Sequence, residues 1–246
     1  MIPPQGRERG AVYVGMGARL IMRVFAKESR MHLRTILLAA FVPAAACAAS
    51  AALAAAPLCP ATWPAQPATS VAHINEVNRG LGIPTDYAAR HNLVPLPEGK
   101  DLVQVPHDVY GRKVEMVAPA AAALKQMFAA AARDGVKLET VSGFRRINYQ
   151  TGLIRRKLKS GMSIQKALSI NAVPGYSEHQ TGCAVDLTTP GVPAADGSFE
   201  HSKAFTWLQQ HGAQFGFHLS FPPGNKYGYE YEPWHWRYIA GSATNR

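Results

Sequence analysis

Two short stretches of this chain concentrate groups able to do chemistry. The first is Ser177-Glu178-His179-Gln180-Thr181-Gly182-Cys183-Ala184-Val185-Asp186, with the His179 imidazole and the Asp186 carboxylate. The second is Glu232-Pro233-Trp234-His235-Trp236-Arg237, with another imidazole and a carboxylate shortly before it. Two neutral imidazoles and one aspartate match the ligand set of a catalytic zinc site, where three protein groups leave the fourth tetrahedral position to water. His179, Asp186 and His235 would fill the three positions. One anion against the ion leaves net positive charge, which lowers the pKa of bound water. Glu232 would then be placed to take that water's proton. Each residue alone has a plainer reading: a capped or surface histidine, a turn aspartate, a solvated glutamate. Residue types and spacing point to a metal site and go no further. His73, His91, His107, His201, His211 and His218 have no comparable neighbours and read as structural or surface residues.

These groups need elements to position them. Asp186 belongs to an apolar run, Cys183 to Thr188, read as a short strand, where an unpaired carboxylate would be costly. His179 sits in a glycine-containing turn before it. Pro233 argues against a helix, so Glu232 is expected on a loop entering a last strand, Trp234 to Ile239. Leu124, Met127, Phe128 and Ala131 recur at helical spacing between Pro119 and Gly135. Val136 to Phe144 alternates like a strand. Asn148 to Lys159 and a segment capped by Ser163, Ile164 to Ile170, read as helices. Ser202 to His211 reads as a helix stopped by Gly212, and Phe215 to Phe221 as a strand. A hairpin is expected through Leu102–Val105 and Val114–Val117. With few βαβ alternations, the fold class is α+β with an antiparallel sheet.

The chain has 246 residues, 47% hydrophobic and 17% charged, a composition that supports a packed core. Its formal charge is +10, and residues 1–56 carry half of it. The remainder suits contact with an anionic surface such as cell wall, and is too scattered to indicate nucleic acid. Residues 1–56 are expected to be an upstream extension plus an export signal starting at Met31, with Met31-His-Leu-Arg34 before an apolar, alanine-rich run to Ala56. An uncleaved anchor helix is the alternative. After cleavage no membrane span is expected. Residues 57–94 read as a proline-rich linker and N-terminal arm, with the stretch up to 115 irregular apart from the hairpin. The functional domain is expected over 95–246. Cys47 falls in the signal; an oxidising compartment would let Cys59 and Cys183 pair.

Three motifs in order resemble the D-alanyl-D-alanine carboxypeptidases of the VanY type. Ser177 to Asp186 resembles the family's Ser-x-His-x-x-Gly-x-Ala-x-Asp, Glu232 to Arg237 its Glu-x-Trp-His-x-Arg, and Ser142-Gly143-Phe144-Arg145-Arg146 with Gln150 its Ser-Gly-Tyr-Arg-Ser and following Gln. The resemblance covers about residues 95–240. It implies a hedgehog/D-Ala-D-Ala-peptidase-like fold, a small antiparallel sheet with flanking helices. It implies Zn2+ on His179, Asp186 and His235, and Glu232 as general base. Arg145 would steady the scissile carbonyl or the substrate carboxylate, and Gln150 and Ser177 would line the substrate groove. The implied substrate is a peptidoglycan stem peptide ending in D-Ala-D-Ala. Phe144 for Tyr and Arg146 for Ser affect substrate preference, and Cys183 fills a position usually small or apolar. The same scaffold serves L,D-carboxypeptidases, dipeptidases and endolysin-like endopeptidases, a choice set by loops near 95–117 and 190–200. A non-catalytic zinc- or wall-binding module is the reading from another class, against which Glu232 speaks.

Overall fold

The structure is a computed structural model describing residues 58–244, so the expected export signal and Cys47 lie outside the described residues. Its elements are α1 (Ala68–Arg79), α2 (Tyr87–Arg90), β1 (Leu102–Val105), β2 (Val114–Val117), α3 (Ala118–Arg133), β3 (Glu139–Ser142), α4 (Ile147–Lys159), α5 (Ile164–Ser169), β4 (Ala184–Thr188), α6 (Lys203–His211), β5 (Phe217–Leu219) and β6 (His235–Tyr238). Strands β1 and β2 form the expected hairpin, and the others an antiparallel sheet of order β3-β4-β6-β5. The class is α+β, a small antiparallel sheet with flanking helices.

The main core follows from helical and strand periodicity. Pro119 stands in the first turn of α3, where a missing N–H costs nothing. Leu124, Met127 and Ala131 lie on one face and are fully buried. They join a cluster with Val185 and Leu187 of β4, Phe205 and Leu208 of α6, Phe217 and Trp236. Each large side chain buried there contributes about 1.5–3 kcal/mol of transfer free energy. Because side chains alternate along a strand, turning Val185 and Leu187 into this core turns Asp186 to the opposite face. The Ser202 and Ser163 hydroxyls cap α6 and α5, accepting from Phe205 N at 3.1 Å and Lys166 N at 3.2 Å. Gly212 departs from its expected role. It stays right-handed, and the chain runs on through a 3-10 turn to Gly216, whose φ of 77° ends it.

Residues 58–94 also differ from the sequence reading. The proline-rich run ends at Pro67, the N-cap of α1, and α2 follows. Ile74, Leu81 and Ile83 form a second apolar cluster with Ile154 of α4, Leu168 of α5, Val173 and Tyr176. Asn78 donates to the Pro174 carbonyl at 3.2 Å. Helix α1 buries only Ile74 and Asn78, so its apolar periodicity is weak and tertiary contacts stabilise it. Four expected strands are shorter than predicted: β3, β4, β5 and β6. Cys59 is disulfide-bonded to Cys183 across a separation of 124 residues. Among the described residues, no helix is long and apolar enough to cross a membrane.

Candidate active site

Strand register assembles the centre. In the β4–β6 ladder Asp186 stands directly opposite His235, and in the β3–β4 ladder Ser142 stands opposite Asp186. Side chains of directly opposed residues share a face, so one register places Asp186 between His235 and the Ser142 end of β3. His179 arrives from a 3-10 turn, Glu178–Thr181, closed by Gly182 at φ 74°. A Cβ on Gly182 would also meet Leu102 at 2.9 Å and Val117 at 3.1 Å, so the turn needs glycine twice over. Gly143 has no room either, since a Cβ would lie 2.6 Å from Val114 and 2.7 Å from the Glu115 carbonyl. That close approach sets the Gly143 carbonyl 2.7 Å from Nδ1 of His179.

The three ligand atoms form a near-equilateral triangle. His179 Nε2, His235 Nδ1 and Asp186 Oδ1 lie 3.1 Å apart on every edge. A carbonyl only accepts, so His179 carries its proton on Nδ1 and turns the Nε2 lone pair into the triangle. His235 donates from Nε2 to Glu178 Oε2 at 2.9 Å, which turns its Nδ1 lone pair the same way. All three residues are buried, at 1%, 5% and 2% exposure for His179, Asp186 and His235. Two lone pairs and a carboxylate oxygen converging in a buried space fit a cation, and edges of 3.1 Å come within about 0.2–0.3 Å of the roughly 3.3–3.4 Å between tetrahedral ligands about 2.0–2.1 Å from a zinc ion. Fixing the far nitrogen of each imidazole is the arrangement metal-binding histidines use.

The protein's own groups put a strong negative pull on the triangle, one that a proton or a metal cation can answer. Burial lowers the His179 imidazole to about 4, helped by the Arg145 charge. Burial also pulls His235 down, but hydrogen bonds to Asp186 and Glu178 outweigh it and raise that ring to about 10, so a metal ion taking the Nδ1 lone pair displaces a proton from it. Burial raises the Asp186 carboxyl, and the two imidazoles more than reverse this, holding it far below the usual range. Glu232 precedes β6 on a loop, as expected, with Oε2 3.8 Å from His235 Nδ1. Burial raises its carboxyl to about 7, with His235 opposing and Asp186 adding to the shift.

Arg145 Nη1 lies 3.7 Å from Asp186 Oδ2 and donates to Ser142 Oγ at 3.1 Å. Arg145, Ser177, Glu232 and the three candidate ligands all line one cavity of about 360 Å³, with Trp234 and Tyr231 among its other walls. Gln150 is not among them. It is 1% exposed and donates to the Ala172 carbonyl at 2.8 Å, so it supports a residue of the wall. The sequence reading assigned no role to Glu178, Ser220 or Arg237. Glu178 Oε2 accepts from Ser220 Oγ at 2.6 Å, and its Oε1 lies 3.5 Å from Arg237 Nη1. The available signal was strand periodicity: Arg237, two residues beyond His235, shares its face.

Comparisons with known proteins place the chain among peptidases of one family. The family model described as VanY, D-alanyl-D-alanine carboxypeptidase, matches residues 113–241, more than half of the chain. The chain is 33% identical over 176 residues to YodJ of Bacillus subtilis (strain 168), assigned as a carboxypeptidase, covering 68% of this chain and 60% of YodJ. It is 29% identical over 168 residues to a D-alanyl-D-alanine carboxypeptidase of Enterococcus faecalis (strain ATCC 700802 / V583), covering 64% of this chain and 59% of that one. It thus spans about 60% of the length of these curated relatives. Among solved structures, the LdcB LD-carboxypeptidase superposes with a TM-score of 0.54 at 34% identity, covering 59% of this chain and 72% of LdcB. The D,D-dipeptidase VanXYg, in complex with a D-Ala-D-Ala phosphinate analogue, superposes with a TM-score of 0.50 at 26% identity, covering 60% of this chain and 59% of that one.

Proposed function

The chain belongs to the VanY family of D-alanyl-D-alanine carboxypeptidases, and from that premise we propose that it is a zinc-dependent enzyme releasing the terminal D-Ala of peptidoglycan stem peptides. The observation that carries this reading is the buried triangle of His179 Nε2, His235 Nδ1 and Asp186 Oδ1, with Glu232 beside it. Bound there, zinc would supply a Lewis acid and a water of lowered pKa. Glu232, with a carboxyl raised to about 7, takes a proton from the attacking water near neutrality and returns it to the leaving amine. Arg145 offers its donor fork to the developing oxyanion or to the substrate's terminal carboxylate. Asp186, 3.7 Å from that guanidinium, helps hold it in place. The cavity walls exclude water and orient the peptide.

Export to the periplasm or cell wall is part of the proposal. The signal-like segment supports it, as does the Cys59–Cys183 disulfide, a bond that persists in oxidising compartments. A second reading within the family is L,D-carboxypeptidase action on tetrapeptides, favoured by the similarity to LdcB.

The test is digestion of defined stem peptides followed by mass spectrometry. Loss of one D-Ala from a pentapeptide, silenced by a chelator and restored by zinc, is the expected result. Loss of D-Ala from the tetrapeptide alone would favour the second reading. Cleavage inside the peptide, or full activity in metal-free protein, would overturn the proposal.

A further inference from the structure

The candidate ligand His235 is held from behind by a chain of contacts that ends in the N-terminal segment. Its Nε2 donates to Glu178 Oε2 at 2.9 Å. Glu178 is a nearly buried carboxylate, 12% exposed at the side chain, and Ser220 Oγ donates to the same oxygen at 2.6 Å. Arg237 Nη1 lies 3.5 Å from the other oxygen. Arg237 Nη2 in turn donates to the Pro60 carbonyl and lies 3.5 Å from that of Ala61. The Trp63 ring lies 5.6 Å from the guanidinium carbon. Residues 59–63 thus form a strap across Arg237.

The strap is tied at its start. The Cys59–Cys183 disulfide joins it to the residue before β4, and the Ala240 N–H donates to the Cys59 carbonyl at 2.8 Å just beyond β6. Cys183 also accepts from Tyr238 N at 2.8 Å. The tie therefore spans the two strands that carry Asp186 and His235. Arg237 itself pairs in register with Ala184, next to Cys183.

We propose that the disulfide-tied strap is part of the metal-holding apparatus: residues 59–63 fix Arg237, Arg237 and Ser220 fix Glu178, and Glu178 fixes the tautomer and angle of His235. The inference rests on the zinc reading above. Glu178 and Arg237 are positioning residues, since neither is one of the ligand triangle. A carboxylate behind a metal-bound imidazole raises its basicity and locks its orientation, and losing such a partner costs about 10–100-fold in metal affinity. A carboxylate this enclosed needs its own compensating charge, and Arg237 supplies it. The strap matters because an arginine anchored at only one end retains rotamer freedom, and Pro60, Ala61 and Trp63 remove it.

The experiment measures zinc affinity of the full chain by competition with a chromophoric chelator, with thermal melts of each metal-free variant alongside. Glu178→Gln is expected to weaken zinc binding by about 10–100-fold. Arg237→Met should weaken it in the same direction, with part restored in Arg237→Lys. The Cys59→Ala/Cys183→Ala double variant should weaken it as well. If that variant does not fold, Trp63→Ala and Arg237→Met, which keep the disulfide, carry the test. Leu124→Ala, in the core away from this chain of contacts, should lower the melting temperature and leave zinc affinity unchanged. Folded strap and Arg237 variants binding zinc as tightly as the parent would overturn the inference and leave the zinc reading standing. A parent protein that binds no zinc would overturn the zinc reading, and this inference with it.

Discussion

Glu232 and the two histidines do separable jobs, and single substitutions should separate them. Glu232→Ala removes the proton acceptor and leaves the triangle intact, so kcat is expected to fall about 10²–10⁴-fold with zinc affinity largely kept. Steady-state kinetics with metal analysis on the same sample would check this, and undiminished D-Ala release would refute the role. His179→Ala should instead lose the metal together with the activity. The pH dependence follows from the raised Glu232 carboxyl. Below about 7 it is protonated and can no longer take the water's proton, so kcat/KM is expected to fall as pH falls through that region. A nearby cation favours the carboxylate and moves the midpoint lower without changing the sign. A pH–rate profile of the zinc-loaded enzyme checks it, and a flat acid limb would remove Glu232 from the proton's path. The same shift makes Glu232 a stability liability: its contribution is present below the ordinary 4.5 and lost as pH rises through about 7.

At the scale of elements, the site depends on register and on two close approaches. A one-residue slip of β4 against β6 would turn Asp186 into the core and Val185 into the cavity. Gly143 sits where β3 leaves the sheet, and its carbonyl fixes the His179 tautomer. Gly143→Ala would force a Cβ to within 2.6 Å of Val114, an overpacking expected to cost about 1–3 kcal/mol. Because the strain falls on the carbonyl that holds His179, zinc affinity should drop too. Denaturant melts and chelator competition on this variant would check both effects, and unchanged affinity would detach the Gly143 carbonyl from the site. Much at this scale was legible. Pro119, Gly135 and the Leu124–Met127 spacing mark α3, and the short apolar run around Asp186 marks β4. Helix α1 was not, because it buries so few residues of its own.

For the whole molecule, two apolar clusters and one covalent tie hold the cavity between distant parts of the chain. In the chain-entropy model a disulfide closing a loop of roughly 100 residues is worth about 4.7 kcal/mol, so removing Cys59–Cys183 should lower stability by about that amount. Thermal unfolding of the double alanine variant measures it, and an unshifted melting temperature would mean the tie constrains nothing in the unfolded chain. Zinc at 100 times its Kd should stabilise the parent by about 2.7 kcal/mol, seen as a melting temperature that rises with metal concentration.

Residue chemistry pointed to a metal site on His179, Asp186 and His235 with Glu232 beside it, and three ordered motifs, by their resemblance to a family, gave those residues their expected roles. It also suited an α+β fold, since local periodicity reports which face of each element is apolar. What only the tertiary structure decided is who stands behind those residues. Gln150 supports the wall and does not line the cavity, Glu178 orients His235, and residues 58–94 pack as core and strap. Such roles depend on strand register and on contacts between segments far apart in the chain, and those distances leave no periodic trace in the order of amino acids.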